Sequence, residues 1–133
     1  MHENFFHKLK VYYEDTDSGG VVYYANYLKF FERARAEYFR SIGFSLGDIS
    51  RNSDIFFVVR SCKIKFIMPA KFNDNIEVIS NIKSLKKKLI QFEQIIKLDK
   101  NVLVKGLINI SCISQAGHAT IIPEDIYLSL KKN

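Results

Sequence analysis

A chain of 133 residues carrying twenty Lys and Arg against fourteen Asp and Glu, a formal net charge of +6, has room for one hydrophobic core and little more. Its composition, 47% hydrophobic, 26% charged and 14% aromatic, is that of a globular domain and excludes the disordered and fibrous classes. The positive balance invites an anionic partner (nucleic acid, a membrane surface or a phosphorylated small molecule) without selecting one, and so small an enzyme often builds its site at a subunit interface.

The first segment, Phe5 to Tyr13, reads as an opening strand, and Met1 to Tyr13 lacks the apolar run and cleavage site of a signal peptide. From Tyr27, the apolar residues Leu28, Phe31, Ala34, Tyr38, Phe39 and Ile42 recur at spacings of three and four, which predicts one helix of about five turns. Asn26 or Asp17 is placed to cap its start and Gly43 to stop it, while Arg33 and Glu37 stand at i, i+4. Phe30 widens the apolar face, so this helix is expected to be wrapped by other structure.

After Asp54 the period changes to two. Cys62, Ile64 and Phe66 share one face, as do Ile76, Val78, Ser80 and Ile82, then Ile90, Phe92, Ile96 and Leu98, then Val102, Val104, Ile108, Ile110 and Cys112. The separators are a Pro69 loop ending in Asn73-Asp74-Asn75, a basic turn at Lys86-Lys87-Lys88, and Asp99-Lys100-Asn101, and their shortness favours antiparallel neighbours. Gly106 in mid-strand predicts a bulge or a close approach of the helix. Pro123 before Glu124 and Asp125 predicts a short terminal helical turn. The reading is an α+β domain spanning residues 1–133, a long central helix wrapped by a five-stranded antiparallel sheet.

No apolar stretch approaches the roughly 20 residues that span a bilayer. Cys62 and Cys112 lie apart in apolar segments, far from any spaced histidine. They read as core residues of a protein in the reducing cytoplasm, with no zinc site and no disulfide. There is no Gly-x-Ser-x-Gly elbow for a serine hydrolase, and His2, His7 and His118 are scattered without partners. No helix-turn-helix or stacked aromatic-basic motif supports nucleic-acid binding.

The chemistry concentrates between Tyr13 and Arg35. Glu14, Asp15 and Asp17 crowd between a strand and a helix, beside Gly19-Gly20. Asp-Ser-Gly-Gly is good turn chemistry in its own right. It also places carboxylates beside a helix N-terminus, whose free N–H groups can hold a developing oxyanion.

The pattern Asp-Thr-Asp-x-x-Gly-x-Val-Tyr-x-x-x-Tyr-x-x-x-Phe-Glu-x-x-Arg, matched from Asp15 to Arg35, resembles the hotdog-fold thioesterases of the 4-hydroxybenzoyl-CoA thioesterase superfamily, in particular the YbgC-like branch associated with the Tol-Pal system. The resemblance extends over nearly the whole chain. It implies an acyl-CoA thioesterase that needs no metal or other cofactor, with Asp17 as the catalytic carboxylate and Gly19, Gly20, Val22, Tyr23 and Tyr24 positioning the thioester. It also implies that the basic turn Lys86, Lys87 and Lys88 meets the phosphates of coenzyme A, with Arg60 and Lys105 as weaker candidates. An acyl-carrier-protein thioesterase and a non-catalytic acyl-CoA-binding module acting in phospholipid or envelope metabolism are the alternatives. Homo-oligomers are implied too, commonly a dimer of dimers in which helices pack side by side and sheets join.

One position departs from the YbgC-like pattern. Where Val-Tyr-His is usual, this chain reads Val22-Tyr23-Tyr24. A phenol with an ordinary pKa of about 10 is a poor base at neutral pH, so more of the chemistry rests on Asp17. That carboxylate either attacks the thioester or activates water. The aromatic cluster Tyr23, Tyr24, Tyr27, Phe30 and Phe31 offers an acyl-lining surface, with Phe31 better placed as helix core.

Overall fold

A computed structural model describes residues 3–132, so His2 lies outside the described residues. The chain forms strand β1 (Phe5–Lys10), a 3-10 turn (Tyr13–Asp15), helix α1 (Asn26–Ser41) and helix α2 (Leu46–Ser53). Strands β2 (Ile55–Phe66), β3 (Asn75–Leu85), β4 (Leu89–Leu98) and β5 (Asn101–Ser114) follow, then helix α3 (Glu124–Lys132). The strands make one sheet in the order β1-β3-β4-β5-β2, antiparallel throughout. This is the hotdog arrangement that the resemblance implies.

Each predicted strand is present, and on β3, β4 and β5 the apolar alternation points inward as expected. Ile76, Val78, Ser80 and Ile82 of β3, Ile90, Phe92 and Ile96 of β4, and Val104, Ile108, Ile110 and Cys112 of β5 are buried against α1. From the helix side, Phe30, Phe31, Ala34 and Phe39 fill the same core. Register shifts at Val59/Ser61, Ile82/Ser84 and Ile96/Lys97 are the irregularities that let long strands bend around a helix.

Gly106 is not at one of these shifts. It is a point of close approach, where an added Cβ would lie 2.8 Å from Cε2 of the fully buried Phe31.

A buried polar contact crosses the same layer. Gln94 of β4 is fully buried, accepts from Arg35 Nη1 at 2.9 Å and donates to the Phe31 carbonyl at 3.0 Å and to Ser80 Oγ at 2.9 Å. Its amide is thus satisfied at both ends. Burial pulls the Arg35 guanidinium down to about 10, with Glu32 and Cys62 acting in the opposite direction, and it remains charged at neutral pH. Tyr38 lacks any such arrangement: its hydroxyl is buried without a hydrogen-bond partner among the described residues, and burial pushes the phenol up to about 12.

Several expectations are corrected. The opening strand stops at Lys10 instead of Tyr13, because the Asp15 carboxylate accepts the Tyr12 N–H at 2.8 Å and turns the chain. Neither Asn26 nor Asp17 caps α1. Ala25 occupies the cap with no side-chain bond, and Asn26 Nδ2 donates instead to the Asp15 carbonyl at 2.9 Å. Glu37 pairs with Arg40 in place of Arg33, which lies over the Phe30 ring.

Gly43 does end the helix. At φ +96°, it donates to the Arg40 carbonyl while Phe44 donates to that of Phe39, a Schellman closure. Cys112 is buried as expected, but Cys62 is exposed: it stands in the stretch of edge strand β2 between Phe57, which packs on Phe39, and Phe66, which packs on Tyr27. The terminal turn is a full nine-residue helix, its Ile126 and Leu130 buried in the core. Helix α2 went unread: its Ser45 cap accepts the Asp48 N–H at 3.5 Å.

Two substitutions test this packing by thermal or denaturant unfolding. Gly106→Ala forces the Phe31 ring to shift and should cost about 1–3 kcal/mol. Tyr38→Phe removes an unpartnered buried hydroxyl and should raise stability by about 1 kcal/mol.

Candidate active site

Between the 3-10 turn and α1 the chain doubles back on itself. Thr16 bridges Val22, the Asp17 N–H donates to the Val21 carbonyl at 2.8 Å, and the Gly20 N–H donates to the Asp17 carbonyl at 3.1 Å. Gly20 sits at φ +79°, a conformation that suits glycine and strains a residue with a side chain. The loop is pinned from the other side too, Val22 N–H donating to the Ala70 carbonyl at 2.8 Å and Phe72 N–H to the Gly20 carbonyl at 3.3 Å.

This geometry separates the two aspartates of the motif. Asp15 is buried, its carboxylate engaged by Tyr12 and its carbonyl accepting from Tyr23 N–H and Asn26 Nδ2, both at 2.9 Å. It builds the loop. Asp17 is exposed, and its Oδ1 accepts only the Gly19 N–H, at 2.8 Å. The turn reading of Asp-Ser-Gly-Gly therefore holds, and it leaves the second carboxylate oxygen without a protein partner among the described residues.

Because no side chain caps α1, the Tyr24 and Ala25 N–H groups at its N-terminus donate to no backbone or side-chain acceptor among the described residues. Free donors at the positive end of a helix suit an oxygen that gains negative charge. Beside them opens a cavity of about 210 Å3 lined by Val22, Tyr24, Tyr27, Phe66, Met68 and Pro69 among others. The Tyr24 and Tyr27 rings flank Phe66 with centroids at 6.2 and 5.8 Å. The buried Tyr27 hydroxyl accepts the Ala70 N–H at 3.0 Å, and desolvation holds that phenol above its usual pKa despite this bond.

Asp17, Gly19, Gly20, Val22, Tyr23 and Tyr24 thus fall on one loop, of which Val22 and Tyr24 line the cleft. Tyr23, Tyr24 and Tyr27 edge that cleft or lie against it, whereas Phe30 and Phe31 are fully buried core. The far wall was missed. Phe66, Ile67 and Met68 are about half exposed at the end of β2, and the signal for them was an apolar run leading into Pro69 where a polar turn would be expected.

The basic turn stands elsewhere. Lys86–Lys88 follow β3, whose other end, Asn75, adjoins the Asp17 loop through Asp74 and Lys71. Eleven residues of strand put roughly 30 Å between the two within one chain. Arg60 and Lys105 lie along the sheet, and His7 and His118 belong to β1 and to the loop after β5.

With the site in place, the chain can be set beside known proteins. The family model of the Thioesterase superfamily matches residues 19–105, beginning two residues after Asp17. The chain is 37% identical over 113 residues to the acyl-CoA thioesterase YbgC of Haemophilus influenzae, covering 85% of this chain and 83% of that protein. It is 36% identical to the acyl-CoA thioester hydrolase YbgC of Escherichia coli O6:H1, over 79% of this chain and 78% of the relative. Among solved structures, a probable thioesterase from Bartonella henselae superposes with a TM-score of 0.86 at 33% identity, covering 92% of this chain and all of the other. A chain that matches the family model over residues 19–105 and these relatives at 36% and 37% identity belongs to the thioesterase superfamily.

Proposed function

We propose that this protein hydrolyses the thioester of acyl-CoA, yielding the carboxylic acid and free coenzyme A. The observation that carries the reading is the exposed Asp17 carboxylate on a hydrogen-bonded loop that runs, through Val22 and Tyr24 of an aromatic cleft, into the uncapped N-terminus of α1. The relatives named for acyl-CoA thioester hydrolysis support the substrate class.

In this reading the cleft takes the apolar acyl group and the free N–H groups of Tyr24 and Ala25 receive the thioester oxygen. Asp17 then attacks the carbonyl carbon, forming a mixed anhydride that water opens, or removes a proton from the attacking water. Either route expels the coenzyme A thiolate, which leaves without much acid assistance because thiols of this kind have a pKa of about 8–9. The absence of histidine at Tyr24 is then no obstacle. Acyl-carrier protein presents the same phosphopantetheine arm, so paired assays with matched acyl-CoA and acyl-carrier protein assign the carrier.

The span of roughly 30 Å that β3 sets between the Asp17 loop and the lysine turn is bridged by a second copy. β2 is an edge strand, and beside it Val59, Phe66 and Leu28 of α1 are 49%, 50% and 43% exposed. Antiparallel pairing of β2 with its equivalent brings the partner's β2 start, and with it the lysine turn beside that end of the sheet, toward this chain's Asp17. The catalytic unit of this proposal is therefore a cytoplasmic homo-oligomer of single-domain protomers, a dimer or a dimer of dimers.

Asp17→Asn should lower kcat by about 10²–10⁴ while the protein stays folded. Near-normal turnover by that variant overturns the assignment. Reversing Lys86, Lys87 and Lys88 to Glu should raise KM for acyl-CoA and flatten its salt dependence, with a smaller change in kcat. Mixing the two deficient variants under conditions of subunit exchange should restore activity, since each mixed dimer then holds one intact Asp17 facing one intact lysine turn.

A further inference from the structure

The two faces of the sheet differ sharply in charge. Side chains alternate along each strand, and those not directed at α1 form the outer face. On that face the register aligns Lys8, Glu77 and Lys97 in one row, Phe6, Ile79, Ile95, Lys105 and Lys65 in the next, and Glu93, Leu107 and Lys63 beyond it. Lys10 lies on the same side of β1 as Lys8, and Lys83 shares the side of Glu93, its Nζ lying 3.8 Å from that carboxylate. Seven lysines stand against two glutamates and Asp99, which lines one hollow with Lys8, Lys10 and Lys97, and leave an excess of four positive charges on a face that no helix covers, in a chain whose net charge is +6.

We propose that this outer sheet face is a docking surface for an anionic phospholipid bilayer. Three features favour that occupant. The cations are lysines from all five strands with no arginine among them, which suits diffuse attraction to a layer of charge better than bidentate reading of individual phosphates. They are spread over the whole face, Lys8, Lys10 and Lys97 around one open hollow of about 580 Å3 and Lys63, Lys65 and Lys105 around another of about 270 Å3, and the middle of that face is an apolar strip of half-buried Ile79, Ile95 and Leu107. Beside this strip, on edge strand β1, Phe6 is 55% exposed and free to enter the headgroup region.

A second copy of the chain is a poor occupant. Stacking two such faces would set like charge against like. Nucleic acid would find neither a recognition helix nor a row of stacking rings there. Helices α2 and α3 pack into the core from the other side, so their cations are not part of this surface.

Co-sedimentation of the full chain with vesicles tests the proposal. Vesicles of phosphatidylcholine with about 30% phosphatidylglycerol should bind it at low salt, pure phosphatidylcholine vesicles should not, and binding should fall at least tenfold as salt rises toward 0.5 M. The triple variant Lys8→Gln, Lys63→Gln, Lys65→Gln should bind the anionic vesicles about a hundredfold more weakly at an unchanged melting temperature. Arg51→Gln with Lys131→Gln and Lys132→Gln removes the same charge from the opposite side and should bind like the parent chain. Equal binding to neutral and anionic vesicles overturns the proposal, as does equal weakening by the two triple variants. Capture of RNA or an acidic protein with no vesicle binding overturns it as well. The lipid and salt series uses the unaltered chain and decides the matter even if a variant fails to fold.

Discussion

Helix α1 lies so close to the sheet that one position on β5 admits no side chain. At Gly106 the ring of Phe31 occupies the space a Cβ would take, and one strand away Gln94 reaches from β4 to the Phe31 carbonyl and to Arg35. The two contacts fix the helix in distance and in rotation. Close packing alone would tolerate some sliding of apolar surfaces, but a buried amide satisfied at both ends does not, because any shift leaves a polar group unpaired in a medium where that is costly. Arg35 adds a buried charge whose only hydrogen-bond partner among the described residues is this same amide, which makes Gln94 as necessary to the arginine as to the helix.

The site inherits that rigidity. The N-terminus of α1 is held where the Asp15 carbonyl can take both Tyr23 N–H and Asn26 Nδ2, so the loop carrying Asp17 has little freedom. Asn26, a residue type that ordinarily caps a helix, is spent on tying the loop down. The consequence is that the neighbouring donors, on Tyr24 and Ala25, have no acceptor among the described residues. A fold selected for helix stability alone would have filled that cap.

The strand period has a second outcome on the opposite face. The alternation that directs Ile, Val and Phe inward directs lysines outward along all five strands, so the core and the cationic surface arise from one pattern read on two sides. The edge position of β2 accounts for the exposure of Cys62 and Val59, whose strand neighbours suggest interior residues.

Much of this was legible in the residues themselves. Periods of 3.6 and 2, the Gly43 stop and the short antiparallel turns specify a helix and strands locally, since each depends on a few adjacent residues. The motif from Asp15 to Arg35 named the loop and singled out Asp17 within it. Other features depend on which segments become neighbours, and spacing along a chain carries no such information. Gln94 occupies an inward position in an otherwise apolar stripe, and only the approach of Arg35, 59 positions away, shows why an amide stands there. Phe66 and Met68 become a cleft wall because the end of β2 meets the start of α1. Lys86 to Lys88 are adjacent to Asp17 in no sense the single chain provides, because an eleven-residue strand holds them apart. Local backbone preference and side-chain polarity determined the elements and the loop that carries Asp17, whereas burial, pairing and distance, which are properties of segments brought together, were decided by the tertiary structure.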